Sequence, residues 1–199
     1  MMIYIIIESR VEMTVRISKA QAQENRDRVV AAASGLFRTH GFDGVAVGDL
    51  MKAAGFTHGG FYNHFASKEA LAAEALAGAW AEMAAERSRA RDLEQLLTRY
   101  LSRAARGAPA RSCPAAALAG DVGRQPPAVK AAFADGLEGM VQSVQEGLGG
   151  AGDQDARERA INLVTRMVGA LMLSRAVPDD HPLADELLDS TLRGALADL

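Results

Sequence analysis

Apolar residues recur along most of this chain with the spacing of one face of an α-helix. Over 19–40, Val29, Ala32 or Ala33, Leu36 and Phe37 fall on one stripe, and Gly41 stands where a left-handed residue would end the helix. A second, short helix is predicted over 47–54 and stopped by Gly55. Thr57 is placed to N-cap a third over 58–64. Ser67 is placed to N-cap a fourth, which runs towards Arg87 with Leu71, Ala75 and Trp80 on one side. Further helices are predicted over 92–106, 113–124, 127–148, 155–176 and 183–197, separated by glycine and proline punctuation. Strand-like alternation and internal repeats are absent from the sequence. The expected fold is all-α, with about nine helices.

The large side chains divide this string of helices in two. Phe37, Phe42, Phe56, Phe61, Tyr62 and Phe65 crowd into one window, whereas later apolar positions are mostly Ala, Leu, Val and Met. A short segment needs aromatic residues to close a core, because each buries about 150–250 Å². The expected organisation is a three-helix domain over 14–66 followed by a larger helical domain over 67–199. Phe37, Phe42, Phe56 and Phe65 are expected to be core. Residues 1–13 fit neither unit: either Met13 is the true start, or they form a short β-like extension.

Charge and composition narrow the functional classes. The net charge of −3 conceals a weakly basic stretch over 14–70, with seven basic and five acidic side chains, on an acidic remainder. The single cysteine, Cys113, excludes an intrachain disulfide framework. No apolar run reaches the roughly 20 residues of a bilayer span, and Met1–Ile7 lacks the basic flank and cleavage site of a secretory signal. A cytoplasmic location without membrane association is expected. The four histidines are scattered, and no paired carboxylates, nucleophile elbow or phosphate-cradling loop stands out. No catalytic residue, metal site or cofactor is therefore expected.

The informative stretch is GFDGVAVGDLMKAAGFTHGGFYNHFASKEAL, residues 41–71. Its second and third helices are joined by a turn of helix-turn-helix length. Gly59 and Gly60 in the first turn of the third each disfavour the helix by about 1 kcal/mol against Ala. Close backbone approach to another surface would justify them. Tyr62, Asn63, His64 and Lys68 add donors suited to phosphate oxygens.

Gly41–Phe42, Val47, Asp49–Leu50, Ala54–Gly55–Phe56–Thr57, Tyr62, His64–Phe65, Ser67–Lys68–Glu69 and Leu71 together resemble the TetR family of transcriptional regulators. The resemblance is strong over about 24–72 and architectural beyond. It implies that Tyr62, His64 and Lys68 contact phosphates of a double-stranded operator. Thr57, His58, Gly59 and Asn63 would face the major groove, with His58 and Asn63 the foremost candidates to read bases, and Gly60 belongs to the same DNA-binding set. Three positions depart from the family pattern. Ala46 replaces a usual Ser or Thr cap, Gly48 stands where Arg is common, and Gly60 replaces a small hydroxyl or Ala.

The resemblance also implies a regulatory domain that dimerises and binds a small effector of unknown identity. Stripes on the last two helices, including Val164, Val168, Leu171, Leu188 and Leu192, are candidates for a four-helix homodimer interface. Trp80, Met83, Tyr100, Cys113, Phe133, Leu137 and Met140 are candidate pocket residues, each with plain core packing as the alternative. The expected function is a repressor released from a palindromic operator by its effector. Two alternatives remain. One is a thiol sensor in which Ser112 caps a helix at Pro114, while the helix end and Arg111 favour the Cys113 thiolate. The other is a helical adaptor without DNA binding.

Overall fold

The computed structural model describes residues 18–150 and 152–199, so the 1–13 extension lies outside the described residues. Those residues form nine α-helices and two 3₁₀ segments, with no strand among them. Helices α1 (Lys19–His40) and α2 (Val47–Ala53) precede a 3₁₀ segment, His58–Asn63. Then follow α3 (Lys68–Ser88), α4 (Leu93–Tyr100), α5 (Arg103–Arg106) and a second 3₁₀ turn, Pro109–Arg111. The chain closes with α6 (Pro114–Val122), α7 (Pro127–Gly147), α8 (Gln154–Ala176) and α9 (Leu183–Ala197).

Local chemistry sets most helix starts. The hydroxyls of Ser18 and Ser67 accept from the backbone N–H of Gln21 and Ala70 at 3.1 and 3.2 Å, and the Asp92 carboxylate accepts from Gln95 at 2.8 Å. Such a cap is worth about 1 kcal/mol. Gly41 ends α1, but with φ 75° and ψ 168° it lies outside the left-handed helical basin expected for it. That region is open essentially to glycine alone.

Three other expectations change. The predicted 92–106 helix is two helices: Leu101 leaves the helical region (φ −92°, ψ 57°), and Ser102 caps α5 by accepting from Ala105 N–H at 3.1 Å. The 58–64 segment is 3₁₀, and the Thr57 side chain makes no capping bond. Cys113, not Ser112, is the N-cap residue of α6, again without a side-chain cap.

Phe37, Phe42, Leu50 and Phe61 are buried where α1, α2 and the first 3₁₀ segment meet, with Phe37 and Phe42 centroids 5.2 Å apart. Each such side chain contributes about 1.5–3 kcal/mol by leaving water. Phe65 joins this core, while Phe56 is only half-buried. Helix α3 packs on both α1 and α7, so the buried side chains form one continuous core from Val29 to Ala195. Close approach of α3 to α7 depends on Gly136, where a Cβ would collide with the Trp80 indole.

Candidate nucleic-acid interface and the cavity behind it

The 3₁₀ segment presents one side to its own core and the other to solvent. Phe61 is fully buried, and its ring lies 5.6 Å from Phe65. These two rings anchor the segment while Thr57, His58, Gly59, Tyr62 and Asn63 stay exposed; Gly60, His64 and Lys68 are half-buried. Tyr62 is 70% exposed, which excludes core packing, and meets the Phe61 ring edge-on at 5.2 Å. A Cβ on Gly59 would meet nothing within 4 Å, so the segment's backbone faces open space there.

The supporting residues explain how so short a segment is held. The Arg26 guanidinium sits 4.5 Å from the Phe65 ring centroid and forms an ion pair with Glu74 on α3. Arg28 lies 4.8 Å from the Phe56 centroid and donates to the Ala54 carbonyl at 2.9 Å, bracing the turn at Gly55 (φ 81°). Gly48 stands beside His58: a Cβ there would lie 3.4 Å from His58 Nδ1. The Ser67 hydroxyl holds the Glu69 carboxyl below its ordinary range at the start of α3. Arg26 and Arg28 had no assigned role in the sequence, because cation–aromatic contacts across a turn leave no periodic trace.

Behind this face, a cavity of about 840 Å³ opens between α1, α3, α4 and the 109–113 turn. Met83, Tyr100 and Cys113 line it. Trp80, Phe133, Leu137 and Met140 do not line it; they belong to the packing between helices. Trp80 and Phe133 pack edge-on at 5.9 Å, Met140 is fully buried, and Leu137 packs on the core. The cavity is lined by five arginines, Arg38, Arg87, Arg89, Arg99 and Arg111, none of them among the candidate pocket residues. Arg38, in the last turn of α1, is buried; it donates to the Ser112 carbonyl at 3.1 Å and pairs with Glu82 at 3.0 Å. Arg87 Nε and Nη1, the Tyr100 hydroxyl and Ser112 Oγ are buried with no hydrogen-bond partner among the described residues.

The helix end acts on Cys113 in the expected direction, through the Ala115 and Ala116 N–H groups, but the expected net stabilisation of its thiolate is overturned. Cys113 is buried, and burial pushes its thiol above the ordinary range, outweighing the opposing influences of the neighbouring Tyr100 hydroxyl, the Ala116 and Ala115 N–H groups at the start of α6 and, least, Arg87. Arg111 is exposed and is not among the groups that shift it. The Tyr100 hydroxyl is likewise driven well above its ordinary value by burial.

Most of the expected dimer stripe is occupied within the chain. Val164, Leu171 and Leu188 are buried within the chain, and Val168 and Leu192 are half-buried against the same core, because α8 and α9 pack on each other. The outward apolar side chains are Ile161, Met172 and Leu173 of α8 and Leu183 of α9. No group of three or more metal-ligating side chains occurs among the described residues, nor any helix long and apolar enough to cross a membrane.

Comparisons with known proteins bear on both halves. Residues 29–75 match the family described as bacterial regulatory proteins, tetR family. Residues 90–186 match that described as transcriptional regulator LmrA/YxaF-like, C-terminal domain. The HTH-type transcriptional regulator YdgC of Bacillus subtilis (strain 168) is 43% identical over 56 residues, 28% of this chain and 29% of that protein. This chain thus matches under a third of that relative's length. A TetR transcriptional regulator from Chloroflexus aurantiacus superposes with a TM-score of 0.68 at 26% identity, covering 89% of this chain and 95% of that one. The reduced form of Escherichia coli NemR superposes with a TM-score of 0.71 at 19% identity, covering 86% and 95%.

Proposed function

The chain belongs to the TetR family of transcriptional regulators, DNA-binding proteins of the helix-turn-helix class, and from that premise we propose that it is a repressor released from its operator by a small molecule. In this reading residues 14–66 bind DNA and 67–199 bind the effector and dimerise. The observation that carries DNA contact is the exposed 3₁₀ segment. Tyr62, Asn63, His58 and the bare backbone at Gly59 stand free on a segment pinned from behind by Phe61 and Phe65. Tyr62, His64 and Lys68 then hold phosphates, while Thr57, His58, Gly59 and Asn63 face the major groove, with Gly60 in the same DNA-binding set.

The cavity supports ligand response because of where it lies. Arg38 belongs to α1, lines the cavity, and is tied to both α3 and the Ser112 carbonyl. A ligand that displaces either partner moves the helix on which the DNA-binding segment is built. Two such segments, one per protomer, would meet half-sites roughly 34–36 Å apart or a multiple of that spacing. Thiol sensing is the weaker reading: burial keeps Cys113 protonated, and the thiolate is the reactive form.

Selection of bound duplexes from a random pool, followed by a salt titration on the enriched sequence, tests the DNA reading. A near-palindromic site whose affinity falls steeply with salt is expected, since counterion release accompanies phosphate contacts. Failure to enrich any duplex, with a flat salt response, leaves the adaptor reading standing instead.

A further inference from the structure

We propose that the cavity is built for an organic monocarboxylate, an anionic head on an apolar body, received by Arg87 with the Tyr100 hydroxyl and Ser112 Oγ. Arg87 Nε and Nη1 are buried donors without an acceptor among the described residues, as are the Tyr100 and Ser112 oxygens without a partner. Buried polar groups in folded proteins are nearly always satisfied, so several orphans around one cavity mark what the cavity receives. Tyr100 and Ser112 are both at least nine-tenths buried.

Among the described residues Arg87 has no counterion. Of the carboxylates lining the cavity, Glu82 is engaged by Arg38 at 3.0 Å and Glu86 pairs with Arg89. Cys113, the remaining acidic group nearby, is kept neutral by burial. Partial burial also holds the half-buried Arg87 guanidinium below its ordinary value, the direction desolvation gives a cation. A carboxylate suits the site because its two oxygens match the planar fork of a guanidinium, and it still accepts from a hydroxyl. Met83, Leu96 and Leu171 give the cavity an apolar wall for the body, and the other lining arginines besides Arg38, namely Arg89, Arg99 and Arg111, are exposed side chains. The volume is that of an ordinary small-ligand site.

Binding to the full chain stands apart from the regulatory reading; only the consequence of binding rests on it. The test is calorimetric titration with octanoate and 4-phenylbutyrate, their primary amides, and the corresponding primary amines. The carboxylates should bind, the amides about tenfold or more weaker, and the amines not at all. Arg87→Met should lower carboxylate affinity about ten- to a hundredfold while leaving the amides unchanged. Tyr100→Phe, which removes one oxygen and no volume elsewhere, should lower it about two- to tenfold and decides the matter if Arg87→Met fails to fold. Amides binding as tightly as carboxylates, retention of carboxylate affinity in Arg87→Met, or no carboxylate binding at millimolar concentration would each overturn the site. The same compounds are then added to the operator complex. Carboxylate binding through Arg87 without operator release overturns ligand response and leaves the site intact. Release by the amides alone overturns the site and leaves ligand response intact.

Discussion

At the scale of single residues, the exposed segment separates positioning from reading. Lys68 is half-buried at the start of α3, outside the exposed 3₁₀ segment, whereas His58 is exposed at that segment's first position beside Gly48. Lys68→Ala should weaken binding to all duplexes and lower the salt slope by about one unit. His58→Ala should alter the ranking of half-site variants with little change in slope. Fluorescence anisotropy across a set of single-base operator variants distinguishes the two; equal weakening on every variant by both substitutions sinks this division. The thiol gives a second prediction. Because burial disfavours the Cys113 thiolate, its alkylation by iodoacetamide at neutral pH should be far slower in the native protein than in urea, and should accelerate only when pH rises above the ordinary thiol range. Native and unfolded rates within a fewfold of each other, read by mass spectrometry, would restore the sensing reading.

At the scale of elements, the helices were largely legible in the sequence because their limits rest on local chemistry. Ser67 caps α3 as its position suggests, and the run ending at His40 follows from its stripe and the glycine after it. The break at Leu101–Ser102 was not legible, since the apolar stripe runs through it and only the Ser102 hydroxyl bond reveals the new start. Nor was the role of Arg87. A charge near the end of an amphipathic helix reads as a solvated residue until α4 and the 109–113 turn are folded over it. Glycines make the contrast between local and tertiary constraint measurable. Gly41 has a positive φ, and a Cβ there would strike the Asp121 carboxylate on α6, whereas Gly139 in α7 has open space. Gly41→Ala should destabilise by about 1–3 kcal/mol, a drop of roughly 3–10 °C in Tm. Gly139→Ala should instead stabilise by up to about 1 kcal/mol, from helix propensity. Thermal melts check both, and an unchanged Gly41→Ala protein would mean that the α1 terminus tolerates another conformation.

At the scale of the whole molecule, the sequence marked which side of α8 and α9 is apolar but not what covers it. Periodicity cannot distinguish a helix's own chain from a second copy, so the stripe through Val164, Leu171 and Leu188 was assigned to an interface that its own core occupies. The large apolar side chains that these two helices leave exposed are Ile161 at 43%, Met172 at 37%, Leu173 at 58% and Leu183 at 42%. Four large apolar side chains exposed on two adjacent helices are unusual for a monomer surface and suit a self-complementary contact. The proposed homodimer, formed through this face, would cover them and hold its two DNA-binding segments at fixed separation. Leu173→Glu would set like charges across the two-fold contact and bury them, which is strongly unfavourable without partners. It should give a monomer by light scattering at micromolar concentration, with Tm little changed. Operator affinity should fall by about a hundredfold or more, because the second half-site is no longer bound intramolecularly, while affinity for an isolated half-site is retained. Leu188→Ala serves as the counterpart: at 1% exposure it belongs to the core, so it should lower stability by about 2–5 kcal/mol without shifting the monomer–dimer equilibrium of the folded protein. A wild-type protein that is monomeric without DNA, or a Leu173→Glu protein that remains a dimer, would move the interface off this face and leave its exposed apolar residues to another partner.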